Sequence, residues 1–205
     1  MTSPPPVITT PEALAEALET IRKADRIGLD TEADSLHCYF EKLCLIQISV
    51  PGLDCLIDPL ADLPLQPLFE ELPRHEVIIQ GLDYDVRLLR RVGMEAIGSV
   101  FDTMIAARLA GLREFSLAAL LKRYFGVEIP KGSQKANWAR RPLPEKMTSY
   151  AINDTRYLIE LADHLETRLR ELGRLEWFRQ SCDRALESAC VSRERDLDTV
   201  WRIAG

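Results

Sequence analysis

The sequence predicts a mixed α/β domain, a sheet covered by helices. Three observations carry this. Apolar runs of strand length open the chain at 26–32, 43–50 and 54–57. Strand-like and helix-like segments then alternate, and the final third has helical period throughout. Strands first, then alternation, then helices is the order of a mixed sheet with helices packed on it. At 205 residues and 46% apolar composition, the chain suits one domain, or one domain with an appendage.

Residues 1–8 read as a Pro-rich lead. Thr10-Pro11 is an N-cap followed by a first-turn proline, and Ala13, Leu14, Ala17, Leu18 and Ile21 keep helical spacing over 11–24. Arg26–Glu32 is the first strand and Leu43–Val50 the second, with Pro51-Gly52 as a turn into a third at Asp54–Ile57. A short helix lies between Pro64 and Pro73, a fourth strand at Glu76–Gln80 and a helix over 83–92 ended by Gly93. Ser99–Phe101 is a fifth short strand. Asp102-Thr103 starts a helix to Gly111, and Ser116 caps another through Phe125. The stretch 128–144 has little periodicity. One long helix is expected over 145–172 and a last one over 175–191.

Composition excludes several classes. No run approaches the roughly 18 apolar residues of a membrane span, and the N-terminus lacks the basic start and apolar run of a secretory leader. Cys38, Cys44, Cys55, Cys182 and Cys190 form no Cys-x-x-Cys pair, so reduced thiols in a cytoplasmic protein are expected, not zinc ligands. His37, His75 and His164 are scattered. The net charge of −6 argues against passive coating of nucleic acid, yet it leaves room for an enzyme with acids at a metal site and bases along a groove.

Three stretches carry carboxylates in patterns that matter chemically. In Ile27-Gly28-Leu29-Asp30-Thr31-Glu32, alternate side chains of a strand share a face, so Asp30 and Glu32 point the same way. Two acids side by side repel, and a divalent cation removes that repulsion; a strand running into an acidic turn has the same pattern. Gln80-Gly81-Leu82-Asp83-Tyr84-Asp85-Val86-Arg87 joins a strand end to a helix start, which also fits an Asp-capped helix. In Tyr150-Ala151-Ile152-Asn153-Asp154, the i, i+4 spacing sets a phenol and a carboxylate on one helix face, as would a half-buried tyrosine beside a solvated acid.

Taken in this order, the three stretches resemble the DEDDy 3′–5′ exonucleases, and the ribonuclease D family in particular. The likeness extends to Leu36–Ser49 with its Leu-Ile-Gln segment, to Phe101-Asp102-Thr103-Met104-Ile105-Ala106-Ala107-Arg108-Leu109, and to the stretch from Lys131 through Trp138, Arg141, Pro142 and Leu143 into Tyr150–Asp154. It covers about residues 7–175. Gln80 stands where many relatives carry His, which implies an effect on packing or fine positioning.

The resemblance implies a ribonuclease H-like fold with a five-stranded mixed sheet flanked by helices. It implies Asp30, Glu32, Asp85 and Asp154 as metal-binding acids, with Asp83 a competitor for Asp85, and Tyr150 as the group that positions water. It further implies two divalent cations, Mg²⁺ or Mn²⁺, and the 3′ ends of single-stranded RNA, or of DNA, as partners. Residues 122–146 hold Lys122, Arg123, Lys131, Lys135, Arg140, Arg141 and Lys146 against Glu128 and Glu145, a local basic excess suited to phosphates or to a solvated loop. Thr31, His37, Lys135, Trp138 and Arg141 are the expected substrate contacts, Trp138 by stacking on a base or else by packing in the core. A DNA exonuclease and a catalytically inactive RNA-binding module are the rival readings; the second predicts a missing acid, and none is missing. The domain is expected to span 1–192, and 193–205 resembles the linker to a helical nucleic-acid-binding domain found in longer relatives.

Overall fold

The computed structural model describes residues 5–34, 41–129 and 136–191. A six-stranded mixed sheet in the order β1-β4-β3-β2-β5-β6 forms its centre. The strands are β1 (Val7–Ile8), β2 (Arg26–Ala33), β3 (Leu43–Val50), β4 (Leu53–Ile57), β5 (Glu76–Ile79) and β6 (Val100–Asp102). β2, β3 and β4 form an antiparallel meander, while β5 and β6 run parallel to β2 on its other side. The expected five strands are present, and a sixth is added. β1 has only two residues, drawn from the Pro-rich lead, and pairs parallel to β4 at the sheet edge. A strand that short has no alternation to read, and its partner lies about fifty residues away.

Helices cover both faces. One face packs Ile27, Leu29, Ile46, Ile48 and Ile57 against α1 (Pro11–Ile21), α2 (Gln66–Glu71) and α3 (Leu82–Arg91). The other face carries α6 (Glu145–Arg156) and α7 (Leu158–Glu171), with α4 (Thr103–Leu109), α5 (Leu117–Phe125) and α8 (Leu175–Cys190) completing the layer toward β6. Alternation along β2 therefore sends Gly28, Asp30 and Glu32 toward α6, and Leu29 and Thr31 toward α3.

The single long helix expected over 145–172 is two helices, broken at Tyr157 (φ −103, ψ −1). The break follows from close packing. Thr155 shares a hydrogen bond with Ser49 of β3 at 2.8 Å, and its carbonyl oxygen would lie 2.9 Å from any Cβ at position 28. Only glycine lets the helix end sit this low on β2. The change of direction then lets α6 lie over the meander and α7 over the parallel strands of a twisted sheet.

Candidate metal-dependent active site

β5 is short. It pairs with β2 only from Arg26 to Gly28, so the backbone of β2 beyond Gly28 has no neighbour on that side. The first turn of α3 fills this position. Asp85, 5% exposed, accepts a 2.5 Å hydrogen bond from the Thr31 hydroxyl. An acid from the α3 side of the sheet thus reaches the acids on the α6 side around an open strand edge.

Asp30 and Glu32 come from β2 and Asp154 from α6, and carboxylate oxygens of these three all lie within 4.8 Å of one another. Burial first, then the facing charges of Asp85, Asp154 and Glu32, push Asp30 well above the usual carboxylate range. Burial and the charges of Asp154 and Asp85 push Glu32 up to about 9. Burial alone takes Asp154 to about 7. Asp85 also rises to about 7 by burial, against the opposing pull of its bonds from Thr31. Four acids that oppose one another's ionisation, with only oxygen donors, fit a hard divalent cation. Tyr150 lies one helical turn before Asp154, buried at 8% exposure and packed against Trp138.

Exposure and partner separate Asp83 from Asp85. Asp83 faces solvent and is held by Arg87 one turn along through bonds of 2.9 and 3.0 Å. Asp85 is the acid that joins the cluster. Asp102, not singled out as functional, fixes the helix that carries it. Its buried carboxylate accepts from the N–H groups of Gly81 (3.2 Å) and Leu82 (2.8 Å) at the start of α3, and of Met104 (2.8 Å) and Ile105 (3.1 Å) in α4. Gly81, at φ 86, has no side chain to cap α3, so Asp102 caps both helices. Gln80 donates to the Phe115 carbonyl at 2.9 Å and accepts from Thr103 at 2.5 Å, tying the same junction together.

The expected substrate contacts fare differently. Thr31 is committed to Asp85 and serves the acid site from within. Trp138 is 1% exposed among Cys44, Leu45, Leu56 and Tyr150, so it packs in the core instead of presenting a face to a base. Arg141 turns inward. Its guanidinium bonds both oxygens of buried Asp58 at 2.5 and 2.6 Å and the carbonyls of Trp138, Arg140 and Cys44, which occupies all five N–H donors. Lys122 pairs with Glu128 at 2.7 Å. Arg123, Arg140 and Lys146 remain exposed. His37 and Lys135 lie outside the described residues, as does the tail 193–205. No helix among the described residues is long and apolar enough to cross a membrane. Cys44, Cys55, Cys182 and Cys190 are free thiols.

The chain is similar to known nucleases over most of its length. The profile of the 3′-5′ exonuclease family matches residues 5–170. A ribonuclease D of Sphingobium indicum is 33% identical over 202 residues, covering 96% of this chain and 52% of that protein. The exosome complex component 10 homolog of Drosophila melanogaster is 36% identical over 205 residues, covering 95% of this chain and 23% of that protein. The crystal structure of Escherichia coli RNase D superposes with a TM-score of 0.86 at 28% identity, over 94% of this chain and 52% of that one. The chain thus spans about half the length of the ribonuclease D relatives it matches. With the acids of β2 and α6 brought together and Asp85 of α3 held by Thr31 on a fold similar to that of RNase D, the chain belongs to the 3′–5′ exonuclease family and resembles ribonuclease D.

Proposed function

We propose that this domain removes nucleotides one at a time from the 3′ end of RNA, releasing nucleoside 5′-monophosphates with the aid of two divalent cations, Mg²⁺ or Mn²⁺. The observation that carries the reading is the convergence of Asp30, Glu32 and Asp154 within 4.8 Å, with Asp85 held beside them by Thr31. Four carboxylates balance the charge of two such ions. When bound, the ions supply a ligated water of lowered pKa and neutralise charge on the phosphoryl group.

The protein's own groups supply placement. Asp30, Glu32, Asp85 and Asp154 hold the ions. Tyr150 hydrogen-bonds the attacking water and aligns it with the scissile phosphate. No serine, cysteine or histidine nucleophile is required. Lys135, outside the described residues, and exposed Arg123, Arg140 and Lys146 are the bases left to meet phosphates.

RNA is the favoured substrate because the relatives at 33% and 36% identity are a ribonuclease D and an exosome component. The E. coli protein is described as an exoribonuclease involved in structured RNA processing. Trimming of structured precursors such as those of tRNA follows as the proposed role. Digestion of end-labelled single-stranded RNA and DNA with Mg²⁺, Mn²⁺ or EDTA tests direction, sugar preference and metal need together. Stepwise loss from the 3′ end of RNA in either metal and none in EDTA is expected. Cleavage in EDTA or endonucleolytic products would overturn the reading.

A further inference from the structure

We infer that Gln47 is a positioning residue of the acid site: its side-chain amide, unpartnered in this structure and set opposite Asp30, would donate to the Asp30 carboxylate and fix its orientation once a divalent cation is held there. The inference rests on the metal-dependent reading above.

Gln47 is the one amide in the most buried strand of the sheet, where Ser49 is the other polar residue. All eight residues of β3 are buried, and Gln47 is 0% exposed. Among the described residues, neither its Oε1 nor its Nε2 has a hydrogen-bond partner. An unpaired buried amide is destabilising, and a leucine or methionine would avoid that cost. Its neighbours show where a partner is to be found. In the β2/β3 register Gln47 is the direct partner of Asp30, and on its other side, in β4, it is the partner of Leu56. Residues directly opposite in an antiparallel pair share a face, with Cβ atoms about 4.5–5.5 Å apart. Along β3 the next residues on this face are Leu45 and Ser49, and the Ser49 hydroxyl is already engaged with Thr155. Of the two residues paired with Gln47 across the sheet, Asp30 is the one whose side chain offers an acceptor.

The chemistry matches the need. An ionised carboxylate has roughly four lone-pair sites. Those not facing a cation remain free for a donor, and outer hydrogen bonds of this kind fix a ligand's orientation and typically govern about ten- to a hundredfold in metal affinity. Gln47 approaches Asp30 from β3, away from Asp85 and the open edge of β2. Trp138 Nε1, in one cluster with Leu45 and Leu56, is equally without a hydrogen-bond partner among the described residues.

The test uses the whole chain and Mn²⁺ alone, with binding followed by the free-Mn²⁺ paramagnetic resonance signal and unfolding followed separately in EDTA. Gln47→Leu and Gln47→Met both keep an apolar side chain of similar size in the core. Either variant, folded, should bind Mn²⁺ about tenfold more weakly, while its unfolding temperature in EDTA stays the same or rises because the orphaned amide is gone. A dissociation constant within threefold of wild type in a folded variant overturns the inference. An amide that serves packing alone would lower the unfolding temperature in EDTA and leave the affinity unmoved, which overturns it too. Asp30→Asn separates this from the parent reading. If wild type binds Mn²⁺ and Asp30→Asn does not, the metal site stands and the Gln47 variants alone decide. If wild type and Asp30→Asn bind equally, the metal site falls and the role of Gln47 with it.

Discussion

The Thr31 hydroxyl donates to Asp85 at 2.5 Å, so the strand that supplies two acids of the cluster also holds the acid from α3. Thr31→Val keeps shape and burial but removes the hydroxyl donor. A buried hydrogen bond to a carboxylate is worth about 1.5–3 kcal/mol, so single-turnover cleavage should fall about tenfold to a hundredfold. Thr31→Ser should keep most of the rate. Equal losses in both variants would show that the methyl group matters and the hydroxyl does not.

Asp30→Asn should stop cleavage and leave the fold intact. It removes a ligand charge at the centre of the cluster, and losing a metal costs several kcal/mol of transition-state stabilisation, so a folded variant that keeps more than about a tenth of the wild-type rate contradicts the assignment.

The raised carboxylates make a second, independent prediction without substrate. A carboxylate whose pKa rises on folding binds more protons folded than unfolded between its two values. Metal-free stability should therefore fall as pH climbs from about 4, where free carboxylates titrate, through about 7 for Asp85 and Asp154 and about 9 for Glu32. Melting in EDTA across this range should show the decline, and Asp30→Asn should flatten it. Mg²⁺ should raise the melting temperature little near the acid end and most near the alkaline end. A melting temperature in EDTA that rises with pH would mean the acids are not opposing one another.

Some of this was legible in the chain and some was not, and the division follows sequence distance. Asp30 and Glu32 share a face because of strand alternation, and Tyr150 and Asp154 share one because of helical spacing; both rules are local. Asp83 and Asp85 are indistinguishable locally. Arg87, four residues on, takes the first, while Thr31, 54 residues away, takes the second. The basic stretch misleads for the same reason. Arg141 reads as a phosphate ligand until Asp58, 83 residues earlier, is seen to hold it. Gln47 did carry a local sign, a lone amide in an apolar strand, but its meaning depends on the register that sets it opposite Asp30.

Arg141→Ala should accordingly damage stability before it damages RNA binding. Removing one partner of a buried pair costs about 3–5 kcal/mol; since the Arg141 side chain is 28% exposed, about 2–3 kcal/mol is the fitting figure. For a chain of this size that lowers the melting temperature by about 5–10 °C. A variant with unchanged melting, weaker RNA binding and a shallower salt dependence would return Arg141 to the phosphate-contact role.

Asp102→Asn tests whether α3 is positioned from its N-terminus. Asp102 Oδ1 accepts from Gly81, Met104 and Ile105, and Oδ2 accepts from Leu82 at 2.8 Å. An asparagine keeps one acceptor oxygen. Placed to serve the three donors on the Oδ1 side, it turns its NH₂ group toward the Leu82 N–H, donor against donor. The negative charge at two helix N-termini is lost as well. The combined cost should be about 2–3 kcal/mol, spread over α3 and α4. Because Asp85 stands one turn into α3, the effect on cleavage should exceed what stability alone explains at temperatures where the variant stays folded. Hydrogen exchange localises the cause. Amides in the first turn of α3, from Leu82 to Asp85, should lose protection, while those of β2 and β3 keep it. Unchanged protection at the start of α3 together with a normal cleavage rate would show that Asp102 caps α4 alone and that the junction with β5 holds the third acid without it.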